Sequence, residues 1–400
     1  MKMTSRFALV VAAGALLGAA VTSAKAADLG SKGVDDLEER VAELEATAAR
    51  KGNRVVSLQV YGQVNKALLF FDNGVESDAF IVDNDTSGSR FGFKGEASIK
   101  PGWKAGFNIE LDYQDAASDK VSATNDDPDD EITIRMNNLY IESEQFGRVT
   151  LGQQSTSADG AAEVVLGNSI SNASVFIGNA IRVGSDKRLS GSSLPSATGS
   201  FNQGYAGSFD GGREDVIRYD SPSIYGFIVS ASWGDNDYYD AAIRFKKEWN
   251  SIRIAAAVAY QNFEGKSAVD SGDEFEIVNG SISVMHVPTG IYGAFAAGNR
   301  EVDGDDAGDF WYGQLGIEKK FLSYGSTTVY GEYGKYNDEL LTSVSSEAER
   351  WGFGVVQKVD SAALELYAQA NFWSFEDGSA GPTAPNEDLT TVLLGSRIKF

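Results

Sequence analysis

His286 is the only histidine of the chain, and there is no cysteine. A hydrolase would need that imidazole beside a nucleophile, and a zinc site would need further ligands. His286 instead directly precedes the turn Val287-Pro288-Thr289-Gly290 and reads as a polar residue at a strand end. Without thiols there is no disulfide, no thiolate nucleophile and no thiolate metal site. Two acidic stretches have calcium-like spacing. Asp83-Asn84-Asp85-Thr86-Ser87-Gly88 matches the first half of a calcium loop, but Lys94 holds the twelfth position, where a bidentate glutamate belongs. Asp303 to Asp309 is similar, with Gln314 at its twelfth position. Both read as solvated acidic loops. No enzyme, metal or cofactor is expected.

The charges left over are placed by a strict alternation. Phe91, Phe93, Gly95, Ala97 and Ile99 alternate with Arg90, Gly92, Lys94, Glu96 and Ser98. After Lys100-Pro101-Gly102, Trp103, Ala105, Phe107, Ile109, Leu111 and Tyr113 alternate with Lys104, Gly106, Asn108, Glu110 and Asp112. A period of two is the mark of a strand with one apolar and one polar face, and two such strands around a tight turn make a hairpin. Sixteen such segments can be traced from residue 55 to the end. The last, Leu389 to Phe400, carries Thr390, Val392, Leu394, Ser396, Ile398 and Phe400 on one side, with Arg397 and Lys399 on the other. The expected fold is all-β, a 16-stranded antiparallel transmembrane β-barrel over residues 54–400, closed by pairing the last strand with the first.

Composition agrees. There are 44 glycines but 7 prolines, and mean hydropathy is slightly negative at −0.22. Barrels look hydrophilic on average because half of each strand faces water. The connections are expected to alternate short and long without exception. Pro101-Gly102 and Asn250-Ser251 are short; Asp115 to Glu131, Glu301 to Asp309 and Glu376 to Asp388 are long and acidic. Aromatic residues at strand ends suggest two interfacial girdles. Trp103, Tyr225, Trp249 and Phe321 stand at the short-turn end, and Trp233, Tyr238, Trp311, Tyr336 and Trp373 towards the loops.

Residues 1–26 have the order of a secretory signal: Lys2 and Arg6, the apolar run Phe7 to Val21, then Ala24-Lys25-Ala26. Residues 27–53 form a periplasmic extension with a short helix, in which Val34, Leu37, Val41, Leu44 and Ala48 fall at heptad positions. Two heptads are marginal alone. The segment is either a coiled coil supported by an assembled barrel or a partly helical tether. At the other extreme of size, residues 155–214 form a single connection without a convincing strand. It contains Val164-Val165-Leu166, Val175-Phe176-Ile177 and Ile181, which need burial. A third loop folded into the barrel would bury them and narrow the channel.

Val60-Tyr61-Gly62-Gln63, Ser89-Arg90-Phe91-Gly92-Phe93-Lys94-Gly95, Phe146-Gly147-Arg148-Val149-Thr150-Leu151-Gly152-Gln153 and the terminal Phe400 follow one another in a telling order. On them the chain resembles the trimeric general porins of Gram-negative outer membranes, of an alphaproteobacterial type, over nearly all of its length after Arg54. The resemblance implies a constriction between arginines of the wall, at Arg90, Arg135 and Arg218, and acids of the third loop, at Asp159, Glu163 and Asp186. The acidic Pro-Glu-Phe-Gly-Gly stretch usual in that family is absent here. Arg244 and Arg253 also point inward, at positions that need not lie near the narrowest point. Implied as partners are further copies in a homotrimer, outer-membrane lipid and lipopolysaccharide, and small hydrophilic solutes and ions.

The function so implied is passive diffusion across the outer membrane. Two alternatives share the fold: a solute-specific channel, and a barrel that anchors an adhesion or envelope-tethering protein. A formal charge of −23 makes nucleic acid an unsuitable partner, since its phosphates would be repelled.

Overall fold

The computed structural model describes residues 55–72, 77–118, 121, 131–170, 209–235, 237–266, 271–303, 305–337, 346–377 and 387–400. The expected signal, the extension 27–53 with its heptad helix, and Asp186 lie outside these residues.

The described chain is β-sheet: β1 (Gln59–Asp72), β2 (Ser77–Asp83), β3 (Arg90–Lys100), β4 (Trp103–Gln114), β5 (Glu131–Ser143), β6 (Gly147–Ser155), β7 (Arg213–Asp220), β8 (Phe227–Gly234), β9 (Tyr239–Trp249), β10 (Ile252–Lys266), β11 (Ser271–His286), β12 (Ile291–Val302), β13 (Asp305–Leu322), β14 (Gly325–Asn337), β15 (Ser346–Val359), β16 (Leu364–Asp377) and β17 (Glu387–Lys399). From β3 onward each strand pairs antiparallel with the next. β17 returns to β1, with Lys399 opposite Gln63 and Thr390 opposite Asp72. Gly62 and Phe400 extend that seam by exchanging two backbone hydrogen bonds of 3.0 Å. Closure leaves neither β1 nor β17 as a free edge of the sheet, the requirement for crossing lipid with strands.

β2 and β3 are two halves of one stave. β1 pairs with β2 along its upper half and with β3 along its lower half, so the barrel has sixteen staves. The break occupies Asn84–Ser89, the stretch with calcium-like spacing. Its polar groups are spent on a turn: Thr86 N–H donates to Asn84 Oδ1, Ser89 N–H to Asp83 Oδ1, and Gln63 Nε2 to the Ser87 and Gly88 carbonyls.

Alternation assigns the faces. On β1, Val60, Val64 and Leu68 are exposed outward, while Gln63, Asn65, Ala67 and Leu69 are buried inward. β5 changes phase midway. Ile132 and Ile134 point out from even positions, Leu139 and Ile141 from odd ones, and a β-bulge at Arg135 absorbs the extra residue. The bulge leaves both Arg135 and Met136 facing in.

Three expectations need correction. The inner wall is not uniformly polar: Leu69, Phe71, Phe80, Leu389 and Leu393 are inward and nearly inaccessible. The loop-side girdle is thinner than expected. Trp233 and Trp311 do face out, but Tyr238, Tyr336 and Trp373 are buried inside; the strands there run past the apolar band, and inward positions also accept aromatic rings. The long connections are not all long. β12 runs to Val302 and β13 begins at Asp305, because ladder pairing continues after the apolar alternation has stopped.

Candidate functional site

Residues 156–170 run along the inner wall and cross it from β8 towards β16. Every even-numbered N–H from Ala158 to Asn168 is taken up by a side chain. Ala158 donates to Asp240 (2.7 Å), Gly160 and Ala162 to the two oxygens of Asp210 (2.8 and 3.0 Å), Val164 to Ser281 (3.0 Å), Leu166 to Ser283 (3.1 Å) and Asn168 to Glu318 (2.9 Å). The strap turns locally, Ala161 N–H donating to the Ala158 carbonyl and Glu163 N–H to the Gly160 carbonyl, and has no ladder partner among the described residues, so the wall supplies hydroxyls and carboxylates to the alternate N–H groups. Apolar side chains fix it further: Val165, Leu166 and Ile170 pack on the cluster containing Leu69, Tyr292, Tyr330, Val356 and Tyr367.

Asp210 is the clasp. It sits where the chain re-emerges from the long connection and ties that exit to the entry, with Thr156 N–H also donating to the Gly212 carbonyl at 2.9 Å. Asn279 of β11 donates to both the Phe209 carbonyl and Asp210. Burial, then the nearby charges of Glu163 and Asp159, push the Asp210 carboxyl well above the ordinary carboxylate range.

Behind the strap the wall is buried and polar. Tyr292 donates to Gln314, Gln314 to Tyr312, and Tyr312 to Glu332 at 2.7 Å. Glu332 lies 3.6 Å from Arg350, both side chains fully buried, and the guanidinium stands 5.1 Å from the rings of Tyr312 and Trp373. Open space lies on the other side. A cavity of about 610 Å³ follows β1 and β3–β7, bordered by Lys94, Asn108, Tyr140, Arg148, Arg218 and Asp220. A smaller one of about 240 Å³ separates Glu163, Val165 and Ile170 of the strap from Asn65, Tyr367 and Arg397 of the wall.

The expected wall arginines all face inward, as two groups. Arg135 is clamped by Glu110 and Asp112, each at 2.8 Å, and Arg90 lies in the field of the same two acids while donating to Ser87 at 2.9 Å. Arg218 bonds Asp220 at 2.7 Å and the carbonyls of Ser155 and Thr156, where the strap begins. Arg244 joins this second group by donating to the Asp159 carbonyl at 2.7 Å. Arg253 does not; it pairs with Glu248 near the short-turn rim. Of the expected loop acids, Asp159 and Glu163 stand on the strap. Sequence reasoning missed Asp210, Asp240, Glu110 and Asp112. The last two were legible as inward positions of β4, and only the register across to Arg135 makes them its partners. Opposed charges across a narrow aqueous gap set up a transverse field, which orients polar solutes and disfavours apolar ones.

A family model described as Gram-negative porin matches residues 8–378. Among solved structures, the barrel is similar to the anion-selective porin from Comamonas acidovorans, with 17% identity and a TM-score of 0.58 over 86% of this chain and 100% of that one. It is similar also to in-vitro folded OmpT of Vibrio cholerae in its trimer form, with 14% identity and a TM-score of 0.53 over 86% and 100%. The outer membrane channel DcaP of Acinetobacter baumannii follows with 13% identity and a TM-score of 0.55 over 88% and 100%. No curated protein matches the sequence.

Proposed function

The chain belongs to the Gram-negative porins, and from that premise we propose a diffusion pore whose narrowest part lies between the strap and the arginine-bearing wall. Its place is the Gram-negative outer membrane and its function the passive diffusion of small solutes. Arg90, Arg135, Arg218 and Arg244 form the basic side of the constriction, and Asp159 and Glu163 the acidic side. The observation that carries this reading is the strap itself, held by hydrogen bonds at every second residue, together with a cavity of about 610 Å³ along β1 and β3–β7 that Arg218 borders. Residues 1–26 serve as export signal and 27–53 as a periplasmic extension. The working unit is a homotrimer, in keeping with the trimer form of the similar V. cholerae protein.

The test is single-channel recording in planar bilayers under a salt gradient. Ohmic steps closing in thirds are expected, with a reversal potential that moves when Arg218 or Glu163 is neutralised. Conductance with a reversal potential indifferent to both substitutions would overturn the constriction. Saturable block by one solute would favour a solute-specific channel.

A further inference from the structure

From Glu163 onward the strap has two faces. The N–H groups of Val164, Leu166 and Asn168 bond the wall, whereas Glu163, Val165 and Ser169 border the cavity of about 240 Å³. The far side of that cavity is built from polar side chains that are almost wholly buried: Asn65 and Tyr367 are 2% exposed and Asn84 1%. They are locked to one another. Asn84 Nδ2 donates to Tyr367 Oη at 3.0 Å, the Tyr367 hydroxyl donates to Asn65 Oδ1 at 2.6 Å, and Asn65 Nδ2 donates to the Ser87 carbonyl at 3.0 Å. A polar surface fixed in this way is ordered before any solute arrives, which lowers the cost of binding one.

Charge is divided across the gap. On the wall, Arg397 and Lys399 share one acid, Glu365, with Arg397 Nε at 2.7 Å and Lys399 Nζ at 3.3 Å. Two cations on one carboxylate leave positive charge in excess on this side. On the strap stands the carboxylate of Glu163, and Val165 and Ile170 add an apolar strip beside it. A simple anion entering here meets Glu163, and a simple cation meets Arg397. A neutral sugar takes water from both charges and pairs with neither. The solute that satisfies both sides carries both charges. Size narrows the class further, because the cavity is smaller than the about 300–1,000 Å³ common for drug-sized ligands.

We propose that the cavity between strap and wall is a weak binding site for zwitterions of amino-acid size. The ammonium group lies on Glu163, the carboxylate on Arg397, and an apolar side chain against Val165 and Ile170. Arg397 spends Nε and Nη2 on Glu365, so Nη1 is the atom that donates to the solute carboxylate. This inference rests on the diffusion-pore reading and deepens it: zwitterions pause at the strap while other small solutes pass. The test separates the two.

Full-length protein is recorded in planar bilayers with L-leucine as the probe. Leucine should reduce the open-channel current saturably. Isocaproate, which lacks the ammonium group, and leucinamide, which lacks the carboxylate, should not do so at equal concentration and ionic strength. Glu163→Gln should raise the half-blocking leucine concentration about tenfold, the worth of a charge-assisted hydrogen bond. Glycine should be held less tightly than leucine, and Ile170→Ala should narrow that difference. Block by isocaproate or leucinamide equal to that by leucine overturns the zwitterion site. Native conductance untouched by leucine also overturns it, and leaves the diffusion channel standing. Saturation-transfer NMR on the detergent-solubilised protein measures leucine binding independently of current. A leucine signal that Glu163→Gln weakens, from protein that conducts nothing, would support the site and strike the channel reading instead.

Discussion

Arg135 shows what one side chain does in this lumen. It forms ion pairs with both Glu110 and Asp112, each at 2.8 Å, and all three side chains are largely buried. Arg135→Ala leaves two acids facing each other; unfolding by denaturant should show a loss of about 3 kcal/mol, the lower end for a broken buried pair, because this one borders water. The same variant should shift the reversal potential towards cations. Asp210 gives a dependence on pH. Its folded-state pKa is raised from an ordinary 3.8, so its neutral form is the stabilising one. That contribution is complete below the ordinary value and is lost as pH rises through the raised one. Open-channel current noise should therefore grow with pH in the native pore and stay flat in Asp210→Asn. Alternation in the sequence was enough to place Arg90 and Arg218 inside. Asp210 could not be found that way, since nothing local marks a carboxylate that caps backbone from fifty positions earlier.

At the level of elements, strands were the most legible feature and their ends the least. Alternation between water and lipid stops at the edge of the apolar band, whereas backbone pairing continues, so β12 and β13 outrun every sequence signal. The break at Asn84–Ser89 was visible as an acidic stretch, yet its use as a turn required the Gln63 and Asp83 contacts. The seam is the element most open to test. A Cβ at Gly62 would stand 2.5 Å from the Arg90 carbonyl and 2.6 Å from the Phe400 ring. Gly62→Val should destabilise the barrel by about 1–3 kcal/mol, as overpacking does, measured as the folded fraction after graded heating.

For the whole molecule, the strap and the barrel are separable. Entry and exit of the long connection meet at Thr156, Gly212 and the Asp210 clasp, so joining Gly160 to Gly211 through a short linker should leave a folded barrel with larger unitary conductance. Selectivity of the native pore should weaken as salt shortens the Debye length from about 10 Å at 0.1 M to about 3 Å at 1 M. The sequence carried the architecture at this scale because each stave repeats one rule. It did not carry the path of the strap, which depends on serines and acids spread over β9, β11 and β13. The seam between Gly62 and Phe400 bears also on biogenesis. The first stave waits for β17, more than three hundred positions later, so the barrel keeps two raw edges until that strand arrives, however well its hairpins form. Ring closure is thus the step that couples the two most distant strands and gives the protein a sealed surface towards lipid.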